Sequence, residues 1–549
     1  MSDSAAPFLQ QLIDSRVASR IWQRDTSVFA PASAPAAVRE AIANRLGWLD
    51  APDHMAAMLP EVRALAEGAW KDGITHVCLL GMGGSSLCAE VLRETVPTGT
   101  QGSALIVLDT TDERAITQAA ATLNPAKTLF LVASKSGSTI EVTSLEHFFG
   151  SITARAVGAE AGRHFVAITD PGTSLVSHAT GHGYRHTFIN PTDIGGRYSA
   201  LSLFGLVPAA LLGVDVAYLL EAGRQMAARC RADADTNPGL VLGAFMAEHA
   251  AAGRDKLTIL LPAALAPLGQ WIEQLIAEST GKEGHGILPV VDEPLGLPVE
   301  YGTDRAFVAV MTPGSDGLEA TARGLEAAGH PVFRLNAAKE GLGAEFFRWE
   351  FATAVAGAAL GVNPFDEPNV RDAKARTAAL LDTFRATGAF RVDPPLEPLE
   401  KTAGVLLREH GSGAPAAPDQ RGRYIAVLDY LPADAARLAM ISRLRQRMRS
   451  VTKRATTHGV GPRYLHSTGQ YHKGGPNTGL FILLTAADET TTAVPGTDYS
   501  FSVLKQAQAL GDFEALVAAG RAVVHVHFDD RATDVFSTLE GLLVKRGLG

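Results

Sequence analysis

The stretch Thr75–Ser86, THVCLLGMGGSS, sets an apolar, β-rich run directly before a glycine- and serine-rich turn. Residues that pack well on a pleated surface predict a strand over Thr75–Gly81, and the turn then feeds a helix from Leu87. The same order recurs downstream. ALIVLD (Ala104–Asp109), TLFLVAS (Thr128–Ser134) and HFVAIT (His164–Thr169) read as three further strands with helical stretches between them. Near-continuous apolar strands alternating with helices predict a parallel sheet covered on both faces.

A second unit of this kind starts near residue 255, with strands over LTILLP (Leu257–Pro262), RAFVAVMT (Arg305–Thr312) and PVFRLN (Pro331–Asn336) and a helix over about Glu345–Leu360. An Ala- and Leu-rich helical stretch, about 199–250, joins the two. RYIAVLDYL, GLFILLT and AVVHVHF give strand-like runs near the C-terminus. The fold class predicted is α/β: two doubly wound parallel-sheet domains plus a C-terminal α/β segment. The expected divisions are a helical lead-in over 1–50, a first domain over 51–215, a second over 216–400 and the C-terminal segment over 401–549, with the Gly/Pro-rich loop Gly411–Arg423 as a boundary. The basic stretch Arg437–Arg454 reads as a helix with a solvated face.

Length and composition agree with this. A chain of 549 residues exceeds what one hydrophobic core serves, and 46% hydrophobic with 19% charged residues is ordinary for a folded protein. A formal net charge of −9 argues against non-specific nucleic-acid binding. Three cysteines, Cys78, Cys88 and Cys230, form no CxxC pair and suit a reducing compartment. No basic-then-apolar leader and no long uncharged apolar run is present, so a cytoplasmic protein without membrane partners is expected.

Four motifs carry chemistry. GMGGSS (Gly81–Ser86) brings backbone N–H groups and a helix N-terminus to a ligand. It could be a dinucleotide fingerprint, with Asp109 at the next strand end as the ribose acid, but Ser86 replaces the third glycine. SKSGST (Ser134–Thr139) concentrates hydroxyls at a strand end before a helix, a phosphate cradle without Walker A spacing. Two such loops at neighbouring strand ends point to one crevice and a phosphorylated small molecule. DIGGRYSALS (Asp193–Ser202) offers Arg197 after a glycine pair, a fixed positive charge for an enediolate or phosphate. QLIAESTGKEGHG (Gln274–Gly286) ends an apolar helical run in Glu278, a candidate general base.

With NPFDEPNVRDAK, these motifs occur in the order seen in the phosphoglucose isomerase family, which this chain resembles over about residues 50–380. The last 150 residues or so, with RYLHSTGQYHKGGPNTG, resemble the isomerase portion of bifunctional transaldolase–phosphoglucose isomerase fusions, and the transaldolase portion itself is not expected in this chain. The resemblance implies two sugar-isomerase (SIS) domains and interconversion of glucose 6-phosphate and fructose 6-phosphate, with no cofactor and no metal. It implies Glu278 as the base moving a proton between C1 and C2, Arg197 as the enediolate stabiliser, and Lys374 as a helper in ring opening. Ser134, Lys135, Ser136 and Thr139 match the phosphate loop, Gly84 and Ser85 the first sugar-contacting turn, and Glu141 a supporting acid. Glu367 stands where the family commonly has glutamine. The ring-opening histidine of the family precedes the lysine in sequence. Here the matching segment, with His466 and Gln470, follows Lys374, so a relocated element is expected, with His472 as runner-up; His285 lies too close to Glu278. A small sugar phosphate as partner and a homodimer, with the histidine donated across the subunit interface, are further implications.

The rival readings are a dehydrogenase using GMGGSS for NAD, a non-catalytic sugar-phosphate sensor, and an isomerase preferring mannose 6-phosphate.

Overall fold

The structure, a computed structural model, describes residues 6–96, 102–338, 341–390, 423–432, 435–488, 490–528 and Gly541. Its frame is three parallel sheets. The first contains β1 (His76–Gly81), β2 (Ala104–Leu108), β3 (Thr128–Ala133), β4 (Phe165–Thr169) and β5 (His186–Ile189) in the order β2-β1-β3-β4-β5. In the second, β6 (Lys256–Leu260), β7 (Leu288–Val290), β8 (Arg305–Met311) and β9 (Val332–Asn336) run in the order β7-β6-β8-β9. The third places β10 (Tyr424–Asp429), β11 (Ala455–Val460), β12 (Gly479–Ala486) and β13 (Ala522–Phe528) in the order β11-β10-β12-β13.

All three wind alike. The chain begins centrally, steps to one side, then crosses back and continues on the other, so each sheet has a crevice at the carboxyl end of its first strand. The alternation of side chains explains why the strands read as unbroken apolar runs. In β1, Val77 and Leu79 face one core while Cys78 and Leu80 face another. The period of two therefore buries both faces.

The first and second sheets share a core. The helix Leu342–Leu360, buried along most of its length, packs against the linking helices Val216–Arg229 and Pro238–Ala251. The lead-in is helical and folds onto the same core: Trp22 stacks on Phe347 at 5.9 Å between ring centroids.

In the C-terminal α/β segment the three strand-like runs join β11 in one four-stranded parallel sheet among the described residues. β5, β7 and β11 were not anticipated, because they are short or, in β11, interrupted by threonines and a glycine. The basic helix is Ala435–Thr452, and only part of its basic set is solvated: Arg443 is exposed, whereas Arg437, Arg445 and Arg449 are buried. Arg445 donates to the carbonyls of Val291, Asp292 and Thr456 at 2.8–2.9 Å, and Arg449 pairs with Glu300 at 3.2 Å. The irregular stretch after β7 leaves carbonyls without strand partners, and arginines supply the donors. Of the predicted boundary loop Gly411–Arg423, all but Arg423 lies outside the described residues. No helix among the described residues is long and apolar enough to cross a membrane.

Candidate active site

Close backbone packing draws the motifs together. Gly83, at φ +54°, has no room for a side chain: a Cβ there would lie 2.7 Å from Gln274 Nε2 and 2.9 Å from the His466 carbonyl. A Cβ on Gly84 would lie 2.0 Å from the Gly196 carbonyl oxygen. The two glycines thus hold the turn after β1 against Arg197, the helix Leu268–Thr280 and the His466 turn. Neither Gly84 nor Ser85 lines the cavity described below.

Asp109 answers the dinucleotide reading. Its carboxylate takes Arg463 Nε at 2.6 Å and Nη2 at 2.9 Å, so the acid a ribose would need is already occupied.

The phosphate loop leads from β3 into the helix Ile140–Val157. Ser134 Oγ and Thr139 Oγ1 are 2.9 Å apart, and Gly137, at φ +69°, donates its N–H to the Ser134 carbonyl at 3.1 Å. Ser136, Ser138 and Thr139 open onto a cavity of about 310 Å³ at that helix N-terminus, which is suited to an anion. Lys135 turns away from it: Nζ pairs with Asp170 at 2.5 Å and donates to the Thr192 carbonyl at 3.1 Å. Ser134 is buried beneath the loop.

The far wall carries Lys374, on the helix Pro368–Thr387, together with His466, Glu141 and Gln508. His466 Nε2 donates to Glu141 Oε1 at 2.9 Å. Burial pushes the Glu141 carboxyl up, but the charges of His466 and Lys374 and hydrogen bonding outweigh it and hold Glu141 below the usual carboxylate range. The relocated-histidine expectation thus has a geometric counterpart: His466 lies after Lys374 in sequence and beside Glu141 in space. It reaches Glu141 of its own chain. His472 does not compete. It is a core residue whose Nδ1 meets the Tyr424 hydroxyl at 2.8 Å, with burial pushing its pKa far down. His285 is exposed. Gln470 is buried, and its amide is taken up by Asn369 and the Gly281 carbonyl, so it braces the wall from behind.

Behind His466 lies a second cluster. Arg197, 4% exposed, donates Nε to Ser279 Oγ at 2.8 Å and Nη2 to the carbonyls of Pro364 and Asp366 at 2.7 and 3.0 Å. Its Nη1 stands 3.2 Å from both Glu278 Oε1 and Glu367 Oε2. Gln274 Nε2 links this cluster to the cavity wall, donating to Glu278 Oε2 at 3.1 Å and to the His466 carbonyl at 2.7 Å. Burial raises the Glu278 carboxyl; Arg197 opposes that, and Glu367 adds to it, leaving a net rise. A carboxylate tuned upward beside a fixed guanidinium is equipped for proton abstraction next to a developing oxyanion.

Gln274, Ser279 and Gln508 were not singled out from sequence. Gln274 lies four residues before Glu278, hence on the same helix face, which is a usable signal. Gln508, 230 residues beyond Glu278, carries no local signal.

The Phosphoglucose isomerase family pattern matches residues 49–294. Glucose-6-phosphate isomerase of Rubrobacter xylanophilus is 30% identical over 379 residues, covering 60% of this chain and 87% of the relative. The chain belongs to the phosphoglucose isomerase family. The enzyme of the same name from Symbiobacterium thermophilum, 30% identical over 390 residues, covers 61% of this chain and 86% of its own. Among solved structures, a hypothetical protein of Thermus thermophilus superposes with TM-score 0.58 at 25% identity, covering 70% of this chain and 98% of its own. A glucose-6-phosphate isomerase from Chlamydia trachomatis superposes with TM-score 0.51 at 19% identity, over 67% of this chain and 78% of its own, which supports the shared fold. The expected sugar-isomerase architecture is therefore that of the family, and the unit built on the third sheet brings His466 and Gln508 to the cavity that Lys374 also lines.

Proposed function

We propose that this chain interconverts glucose 6-phosphate and fructose 6-phosphate as an aldose–ketose isomerase. The observation that carries this is the pairing of an upward-tuned Glu278 with Arg197, one hydrogen-bonded step behind the cavity wall where His466 and Lys374 face the hydroxyl-rich loop.

The phosphate rests on Ser136, Ser138 and Thr139 at the helix N-terminus, with Ser134 supporting the loop, and does not react. Its binding energy holds the sugar in register. His466 and Lys374 open the ring, one accepting the proton of the anomeric hydroxyl while the other delivers one to the ring oxygen. Glu278 then takes the C2 proton of the open aldose and Arg197 stabilises the enediolate. Return of that proton to C1, with the O2 proton passing to O1, yields the ketose. Ring opening breaks the C1–O5 bond as the anomeric hydroxyl becomes the carbonyl, the remaining steps are proton transfers, and the roles of Glu278, Arg197, His466, Lys374, Glu141 and Glu367 are proposals that rest on their proximity.

The reading carries with it a cytoplasmic homodimer that acts on a free sugar phosphate and not on nucleic acid or membrane. The three cysteines, all free and buried, suit a reducing compartment. Fructose 6-phosphate turnover, coupled to glucose-6-phosphate dehydrogenase and read as NADPH, tests the activity. Wild type is expected to turn over, and Glu278→Gln to lose about 10²–10⁴ in kcat. Bound sugar phosphate without turnover in the wild type would favour a sensor instead.

A further inference from the structure

The strip Asp109–Glu113 after β2 receives three contacts from the third-sheet unit. Asp109 binds Arg463, Asp112 binds Lys505 Nζ at 2.9 Å, and the Thr111 hydroxyl donates to Gln508 Oε1 at 2.8 Å. Lys505, Gln508 and Asp512 lie three and four residues apart on the helix Phe501–Ala518, hence on one face. Asp512 accepts from the Tyr464 hydroxyl at 2.6 Å, two residues before His466. A single helix face therefore grips both the first sheet and the histidine turn.

Gln508 Nε2 donates to Glu141 Oε1 at 2.7 Å, the same oxygen that takes His466 Nε2 at 2.9 Å. Thr111, Gln508 and Glu141 are 0%, 2% and 3% exposed. An ionised carboxylate only accepts, so the amide must turn its NH₂ toward Glu141. That leaves its oxygen for Thr111, and the clasp permits one orientation. Neither the sequence motifs nor the family relationship assigns a role to Gln508.

We propose that Gln508 is a positioning residue for this reaction: clasped by Thr111, it holds the Glu141 carboxylate so that Glu141 keeps the His466 proton on Nε2 and leaves Nδ1 to exchange protons with the sugar. This rests on the isomerase reading above. Glu141 and Glu278 interact with His466, and Lys374 lines the same cavity, from the helices Ile140–Val157, Leu268–Thr280 and Pro368–Thr387. Gln508 adds no charge to this set and acts through geometry. An imidazole whose tautomer is fixed by a held carboxylate is ready for general acid–base work, and one with a wandering proton is ready only part of the time.

The test is Gln508→Met, close in shape and without the amide, in the wild-type and His466→Ala backgrounds. In the wild-type background, kcat for fructose 6-phosphate should fall roughly tenfold with KM nearly unchanged. In the His466→Ala background the same change should cost less than about twofold. An equal loss in both backgrounds, a rise in KM alone, or no effect would overturn the proposal. Thr111→Val, which loosens the clasp and leaves Gln508 in place, should reproduce the pattern in smaller measure and serves if Gln508→Met does not fold. Histidine-selective ¹⁵N spectra, with His466 identified by its absence in His466→Ala, need no turnover. Neutral His466 should show a protonated Nε2 and a bare Nδ1, and in Gln508→Met the two shifts should converge. Unchanged shifts would overturn the proposal even in an active enzyme. An inactive wild type would sink the isomerase reading and leave the shifts to decide this one.

Discussion

Arg197 Nη1 stands 3.2 Å from Glu278 Oε1, with both side chains withdrawn from water. The guanidinium does more than pair with the base. Through Nε and Nη2 it also satisfies Ser279 and the carbonyls of Pro364 and Asp366, so its fork is fixed before any substrate arrives. Preorganised charge of this kind needs no rearrangement when an oxyanion develops. Lysine cannot reproduce it, because one ammonium replaces a planar fork with five donors. Arg197→Lys should lower kcat about 10²–10³-fold and lower the melting temperature, through the buried acceptors left unmet. Coupled turnover and thermal unfolding check both, and a variant with near wild-type kcat would remove Arg197 from the chemistry.

Glu367 shares that same nitrogen, and its charge helps hold the Glu278 carboxyl above its ordinary value. As a base Glu278 must be ionised, so kcat/KM should rise with pH through its pKa. Glu367→Gln removes a neighbouring negative charge and leaves Arg197 more fully to Glu278. Both effects favour the carboxylate, so the acid limb of the pH profile should move to lower pH. Burial, Arg197, the Gln274 hydrogen bond and His466 remain as in the wild type. A limb that stays put or moves upward would show that Glu367 does not reach Glu278 electrostatically.

The strands were legible because two-sided burial writes itself as unbroken apolar runs, and the two Gly/Ser loops because a sharp turn at a strand end needs those residues. The roles of single side chains were less so. Lys135 sits inside the phosphate motif, yet Asp170 draws its ammonium aside. Gln470 lies four residues after His466, yet Asn369 and Gly281 hold its amide. Arg445 and Arg449 read as a solvated face because their acceptors, the Val291 and Asp292 carbonyls and the Glu300 carboxylate, lie some 150 residues upstream, invisible to local spacing. Gln508 failed to register for the same reason: what makes it matter is Thr111, far away in sequence.

His466 and Glu141 meet within one chain, and Glu278 of that chain lies one glutamine away. Complementation between subunits is therefore not expected, whatever the assembly. Co-expressed, differently tagged Glu278→Gln and His466→Ala chains, purified as mixed oligomers, should show no more activity than the average of the two variants alone. Recovery approaching a quarter or more of wild-type turnover would mean that the histidine acts on a partner's site.

Glu350, on the helix Leu342–Leu360, is 1% exposed, and its Oε1 has no hydrogen-bond partner. Burial raises its carboxyl well above 4.5, only partly opposed by the backbone at Ala200. The folded protein therefore keeps a proton that the unfolded chain releases near 4.5, and across the window above that value the folded state binds more protons than the unfolded one. Stability must then fall as pH rises through the window: this group's contribution is fully present below the unfolded value and is lost on approach to the folded one. Glu350→Gln mimics the protonated acid and does not titrate. It should melt close to wild type near about pH 5, and above it by about 1 °C or more near about pH 8. Paired melting curves at the two pH values decide it: a gap that is constant or that narrows toward alkaline pH would mean the carboxyl finds compensation in the fold and is ionised there.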